Sequence, residues 1–339
     1  MNNEEIKILK YLSDKLGSGG SILEMLKDIS TKYGKTYYPN IYNATKNLEK
    51  LGIIKITTEG KNKIISLNKE NPFSKYYMAE IEDRKSAEIK LFRELLDDLL
   101  YLPEKFNIFS MASLETEHHL ALNRIELLIL VKNHDEDHEL IRLLLQMEST
   151  YNIGIDPIIL TIDEFIKIMK SDELSPVKDL ILDKYILYNS LGFWDLITRN
   201  DINSNYKKFN KYPQEITEEE LAYNYNRFGF KLHEKLTEET KISLETIIFA
   251  MSINDEPRIK YGSIIILKKN IDKIILSYLF YIYKRYEELG VLRSMILSLI
   301  ELKALKMNEN IKSYLDLMKE DKNIKFDLNT IKRYIELYD

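Results

Sequence analysis

The sequence predicts an α+β fold in three blocks, and three observations predict it. Two apolar runs at helical spacing and two short strand-like runs crowd into residues 22–67. Three apolar runs of strand length follow between Phe106 and Leu160. Beyond Thr217 the period is helical, with Tyr261 to Leu267 alone open to a strand.

Glu4 to Leu16 opens the chain as an amphipathic helix with Ile6, Leu9, Leu12 and Leu16 on one stripe. Gly17-Ser18-Gly19-Gly20 breaks it. A second helix runs from Ile22 to Tyr33, with Ile22, Leu23, Leu26 and Ile29 on its apolar face. After a turn at Gly34 to Tyr38, Pro39 suits the first turn of a third helix, where its missing N–H is not needed. Ile41, Ala44, Leu48 and Leu51 recur along that helix, and Gly52 ends it. Ile53 to Thr57 and Lys63 to Leu67 then flank a polar, Gly-containing turn and predict a hairpin. Asn71-Pro72 punctuates the boundary. Lys75 to Leu102 keeps one helical pattern, ending before Pro103. Strands are predicted at 106–112, 125–131 and 153–160, and helices at 135–149, 162–169 and 174–187. The blocks are therefore 1–70, a connecting helix over 71–104, a small mixed-sheet domain over 105–200, and a helical domain over 215–339.

Composition narrows the function classes. The 339 residues are 45% hydrophobic and 30% charged, as in ordinary globular chains. The absence of cysteine excludes a disulfide framework and a thiolate metal site. The N-terminus is polar and acidic, unlike a signal peptide, and Ile274 to Tyr283 is too short to span a bilayer. A cytoplasmic protein without a membrane partner is expected. The net charge of −5 is unevenly spread: residues 1–70 hold 12 Lys against 8 Asp or Glu, whereas the remainder is acidic. A basic head on an acidic body suits a nucleic-acid-binding domain joined to a regulatory body.

The order helix, turn, helix, hairpin with a basic tip over Ile22 to Leu67 resembles a winged helix-turn-helix. That resemblance implies double-stranded DNA as the partner. Tyr37, Tyr38, Asn40, Asn43, Lys46 and Asn47 are the candidate contacts on the second of its helices. Lys61, Asn62 and Lys63 are those at the wing. Asn can pair bidentately with adenine, and Lys can meet guanine or phosphate. Tyr42 packs inward or borders the groove. One such module makes few contacts, so a homodimer on a palindromic site is expected.

Residues 105–197 resemble the minimal nucleotidyltransferase fold. The resemblance is carried by the strand at Arg124 to Val131 and by Ile155 to Phe193, IDPIILTIDEFIKIMKSDELSPVKDLILDKYILYNSLGF. That family holds two magnesium ions with three carboxylates and approaches the triphosphate with a Gly-Ser turn. Its Ser-Asp-Ile-Asp motif falls on Asn123-Arg124-Ile125-Glu126, so an arginine replaces the first carboxylate. Its third carboxylate falls on Asp156. Its turn falls on Phe109-Ser110-Met111-Ala112-Ser113, which holds no glycine. These departures imply an inactive domain used for oligomerisation or for sensing a nucleotide or small-molecule effector. The possible pocket is Ser110, Ser113, Arg124, Glu126 and Asp156. No cofactor is implied, and magnesium with nucleotide enters only if the domain is an active, metal-dependent enzyme with the winged helix as substrate-binding module. An antitoxin-like interaction protein is a further alternative.

His134 and His138 have the i, i+4 spacing of helix-borne metal ligands, with His118 and His119 upstream, but no third ligand is set by spacing, and no metal is expected. Arg227 and His233 faintly resemble the Arg-His pair of helical ribonuclease domains.

Overall fold

The computed structural model describes residues 1–60, 62–89, 91, 93–114, 123–204, 206, 209, 212–232, 237–318 and 326–338, with Glu59 described by its backbone alone. Among these are sixteen α-helices, a three-stranded antiparallel sheet and a four-stranded mixed sheet, an α+β architecture. None of the described helices is long and apolar enough to cross a membrane. The chain forms two compact units. One holds residues 1–133, 161–171 and 177–207, and the other 134–160, 172–176 and 208–339.

The first unit begins with α1 (Asn3–Asp14). Asn2 and Glu5 form a reciprocal capping box that satisfies two of its first free N–H groups. Gly20 and Ser21 form β1, and Ser21 caps α2 (Ile22–Lys32) by a second such box with Glu24. The third helix, α3 (Tyr38–Lys50), follows, then β2 (Ile54–Glu59) and β3 (Asn62–Leu67). The three strands lie in the order β1-β3-β2, with Gly20 opposite Ile65 and Ile54 opposite Leu67. Ile8, Leu12, Met25, Ile29, Ile41, Leu48, Ile53 and Ile65 are fully buried and form the core of this segment. Two expected core positions differ. Leu23 and Leu51 are exposed, and Met25 is buried instead of Leu23: Ile22, Met25 and Ile29 share one face of α2, and Leu23 lies to its side.

The single helix expected over Lys75 to Leu102 is two helices, α4 (Ser74–Ser86) and α5 (Arg93–Lys105). Three-residue turns at Lys85 and Ser86 end the first. Apolar residues continue across the break, from Ile81 through Ile89, Leu91 and Phe92 to Leu95, so the sequence does not mark it. The two helices have different supports. α4 packs on α1 and on the later segments Tyr185–Tyr188 and Ser190–Arg199, and α5 on Ile108–Ser113 and Tyr185–Tyr188. Pro103 lies inside the last turn of α5.

The second sheet has the order β6-β5-β4-β7, made from β4 (Ile108–Ser113), β5 (Arg124–Val131), β6 (Gly154–Thr161) and β7 (Tyr185–Tyr188). β4 pairs antiparallel with both β5 and β7. Thr161 caps α7 (Ile162–Lys170) with a capping box to Glu164. The helix expected over 174–187 is instead a short helix, α8 (Pro176–Leu180), one tighter turn at Ile181–Asp183, and β7. Leu191 to Phe193 belongs to α9 (Ser190–Arg199), whose start Asn189 caps.

One buried cluster of charges joins α1, α4, Lys184 and α9 within this unit. The Glu82 carboxylate is fully buried and takes hydrogen bonds from Ser13 Oγ at 2.6 Å and Trp194 Nε1 at 3.2 Å. Lys184 Nζ lies 3.2 Å and Lys85 Nζ 3.4 Å from its two oxygens. Lys85 also meets Asp14 at 2.9 Å, and Lys184 donates to the Ser13 carbonyl at 2.9 Å. Burial opposes ionisation of Glu82, but the Lys184 and Lys85 ammoniums outweigh it and hold the carboxyl below its usual range. Asp14 is lowered in the same way by Lys85 and Lys32 against burial. Burial, with the repulsion of Lys85, holds Lys184 below an ordinary lysine although Glu82 favours its charge.

The second unit contains α6 (Asp137–Tyr151), most of β6 and the helices from α10 onward. These are α10 (Glu218–Arg227), α11 (Leu244–Ser252), α12 (Pro257–Asn270), α13 (Leu276–Arg285), α14 (Leu289–Glu301), α15 (Glu309–Leu317) and α16 (Leu328–Tyr338). Every residue of α11 is buried, with α10, α12 and α13 packed against it. Tyr261 to Leu267 lies inside α12. Ile264 through Leu267 are all fully buried, and a helix enclosed on most sides carries an apolar run without the helical period. Tyr278 and Tyr283 are also buried, their hydroxyls bonded to Ser175 Oγ at 3.0 Å and Ser252 Oγ at 2.7 Å.

Two outcomes follow for stability. The lowered Glu82 and Asp14 carboxyls stabilise the folded chain above the ordinary carboxylate range near pH ~4, and that stabilisation is lost as pH falls through their lowered values. Thermal unfolding followed by the fluorescence of Trp194, the single tryptophan, should show a midpoint falling steeply below about pH 4. Glu82→Gln leaves two buried ammoniums poorly compensated and should cost about 3–5 kcal/mol at neutral pH, with a flatter acid limb; an unchanged midpoint would remove the cluster from any structural role. Separately, a Cβ on Gly19 would lie 1.2 Å from the Ile65 carbonyl oxygen, a backbone atom. Gly19→Ala should therefore lower the urea midpoint by an amount equivalent to about 1–3 kcal/mol.

Candidate functional site

The exposed face of α3 is set by its buried one. Ile41, Ala44, Thr45 and Leu48 turn inward, and Thr45 Oγ1 returns a hydrogen bond to the Ile41 carbonyl at 2.7 Å. The opposite face therefore presents Tyr37, Tyr38, Asn40, Tyr42, Asn43, Lys46 and Asn47, all exposed. The turn before it is pinned to α1. Thr36 Oγ1 donates to Glu4 Oε2 at 2.5 Å, and Lys7 reaches the carbonyls of Gly34 and Lys35 at 3.5 and 3.4 Å. Gly34 takes a φ of +90°, which L side chains rarely adopt, so the tight approach to α3 depends on glycine there.

The groups on this face are not equivalent. Tyr38 and Tyr42 stack with ring centroids 6.1 Å apart and planes 19° apart, so Tyr42 borders the exposed face rather than packing inward. The Lys35 ammonium sits 5.5 Å above the Tyr37 ring. Lys46 Nζ lies 2.7 Å from Glu49 Oε2, and that hydrogen bond holds the lysine above its ordinary value. Asn47 leans toward Glu5, its Nδ2 at 3.4 Å from Oε1. Asn40 and Asn43 make no side-chain hydrogen bond among the described residues. On the hairpin Asn62 and Lys63 are exposed beyond Gly60, whose φ is +60°. Lys61 lies outside the described residues.

The residues of the possible nucleotide pocket are mostly buried. Ser110 is buried in β4, and its Oγ donates to the Tyr188 carbonyl at 3.0 Å, as a sheet contact. Ser113 and Glu126 are fully buried on β4 and β5, where Arg124 is half-buried. These four belong to the first unit and Asp156 to the second. Asp156 is fully buried there, with Lys284 Nζ 3.3 Å and Arg285 Nη1 3.9 Å from its oxygens. Lys284 also meets Glu148 at 2.8 Å. Asp156 therefore already faces two protein cations.

His134 and His138, the described pair, meet different acids. His134 Nδ1 meets Asp137 Oδ2 at 2.7 Å at the start of α6, and the same oxygen accepts from Tyr314 at 3.3 Å. His138 approaches Glu139, while His118 and His119 lie outside the described residues. No group of three or more His, Cys, Asp or Glu among the described residues could hold a metal ion. Arg227 fastens the end of α10, donating to Asn224 and Glu173, and His233 lies outside the described residues.

Sequence reasoning missed an open groove of about 630 Å³ in the first unit. Gly17, Gly19, Lys55, Ser66 and Lys69 are among its lining residues. Its visible signal is the Gly17–Gly20 run, which the sequence marks only as a helix breaker. Lys69 is engaged there with Asp201 at 3.1 Å.

Comparison with protein-family models, with curated proteins and with solved structures finds no match for this chain.

Because Asp156 is neutralised by Lys284 and Arg285, Arg124→Asp alone should not create magnesium-dependent nucleotide transfer. Incubation with labelled ATP or GTP and magnesium should leave both wild type and variant without transfer product; product from the variant would mean that only the ligand at 124 had been missing.

Proposed function

We propose that the chain is a sequence-specific regulator of transcription that binds double-stranded DNA through residues 1–70 as a winged helix-turn-helix. The observation that carries this reading is the α3 face, where seven polar or aromatic side chains stand exposed on a helix whose other face is core. Helix, helix and hairpin follow one another there as DNA-reading modules require, with α3 as the helix for the major groove and the hairpin as the wing. The excess of lysine over acid in this segment supports attraction to phosphate. In the same reading, two copies bind a palindrome. The nucleotidyltransferase-like resemblance of residues 105–200 and the helical segment 215–339 assign the rest of the chain to dimer contacts and to an effector.

Selection from sheared genomic DNA at two salt concentrations tests it. Wild type should enrich a palindromic site, and higher salt should weaken binding. Lys46→Ala/Lys61→Ala/Lys63→Ala should lose the enrichment and flatten the salt slope by about 2.7 per protomer if all three lysines meet phosphate. Equal retention by the variant, or no enrichment at all, would reduce the segment to a protein-docking module.

A further inference from the structure

We propose that the α3 face selects A·T-rich duplexes, with Asn40 and Asn43 each reading an adenine and the Tyr38–Tyr42 ledge packing on thymine methyl groups. This rests on the DNA-binding reading above. The two asparagines lie one turn apart in the first half of α3, the end that helix-turn-helix docking places against base edges. Both amides are exposed and uncommitted among the described residues, and a carboxamide matches the N6 donor and N7 acceptor of adenine. The first half of α3 carries no charged group suited to reading G·C. Guanine is read best by a bidentate Arg or Lys, and residues 1–70 contain no Arg. Lys46, on this face, is held 2.7 Å from Glu49. That pairing also occupies the sole acid of α3, the group that would accept from cytosine N4. Asn47 is turned toward Glu5. The stacked rings of Tyr38 and Tyr42 supply an exposed apolar surface on the same helix, of the kind a thymine methyl requires.

The test is site selection from a random duplex library with the full chain, Asn40→Ala and Asn43→Ala. Both positions are exposed, so neither change should disturb folding. Wild type should select an A·T-rich site. Each variant should flatten the preference at one position and lose about tenfold more affinity on the selected duplex than on random duplex. Placing 7-deazaadenine at that position should reproduce the loss in wild type and add nothing in the variant, because N7 is the atom removed. A G·C pair at the flattened positions would overturn the A·T inference and leave the DNA-binding reading standing. So would preferences that both variants leave unchanged. Failure to bind any duplex would overturn both.

Discussion

The buried Glu82 carboxylate is the constraint on which the first unit depends. It sits among Lys85, Lys184, Ser13 and Trp194, which come from four separate stretches of chain. Ions in a protein interior lose several kcal/mol of hydration each, so such a group persists only when its partners are held close. Here two carboxylates, Glu82 and Asp14, meet the Lys85 and Lys184 ammoniums, and a hydroxyl, an indole and a backbone carbonyl add hydrogen bonds. An apolar cluster of equal volume could match its stability. It could not match its directionality, because a hydrophobic contact tolerates sliding and this network does not.

The consequence reaches the α3 face through α1. Ser13 and Asp14 at the end of α1 belong to the cluster. Asp14 is also bonded by Lys32 at 2.7 Å and by the Tyr33 hydroxyl at the end of α2. The other end of α1 holds the turn before α3 through Glu4 and Lys7. The helix proposed to read DNA is thus placed relative to α4 and α9 by a continuous run of polar contacts. A fixed reading helix suits recognition of base edges, where misplacement by an ångström forfeits bidentate geometry. Asp156, in the second unit, is likewise buried among cations. A carboxylate that two cations already neutralise has little left for a metal.

Much of the N-terminal block was legible because its signals are local. Pro39 in the first turn of α3, Gly52 after its end, and Gly60 between two short strands each act within a few residues, and the elements form where they point. The exposed α3 residues were legible for the same reason, since helical spacing assigns opposite faces. Leu23 and Leu51 show the limit, because an apolar residue at a face boundary is buried only if a neighbour arrives there. Lys46 shows another: sequence marks it as a contact to DNA, and only side-chain geometry reveals its pairing with Glu49.

The sequence by itself determined the α+β class, the first three helices, the hairpin and the strands β4, β5 and β6, through caps, turns and periodicity that neighbouring residues share. Tertiary structure alone decided the break between α4 and α5, the conversion of the expected 174–187 helix into β7, and the burial of Glu82, Lys85 and Lys184. Each depends on a partner distant in sequence: β4 offers Tyr185–Tyr188 an edge to pair with, and Lys184 finds its counter-charge at Glu82. A charged residue in a sequence signals solvent by default, and it becomes a core residue only when folding brings its opposite within hydrogen-bonding distance.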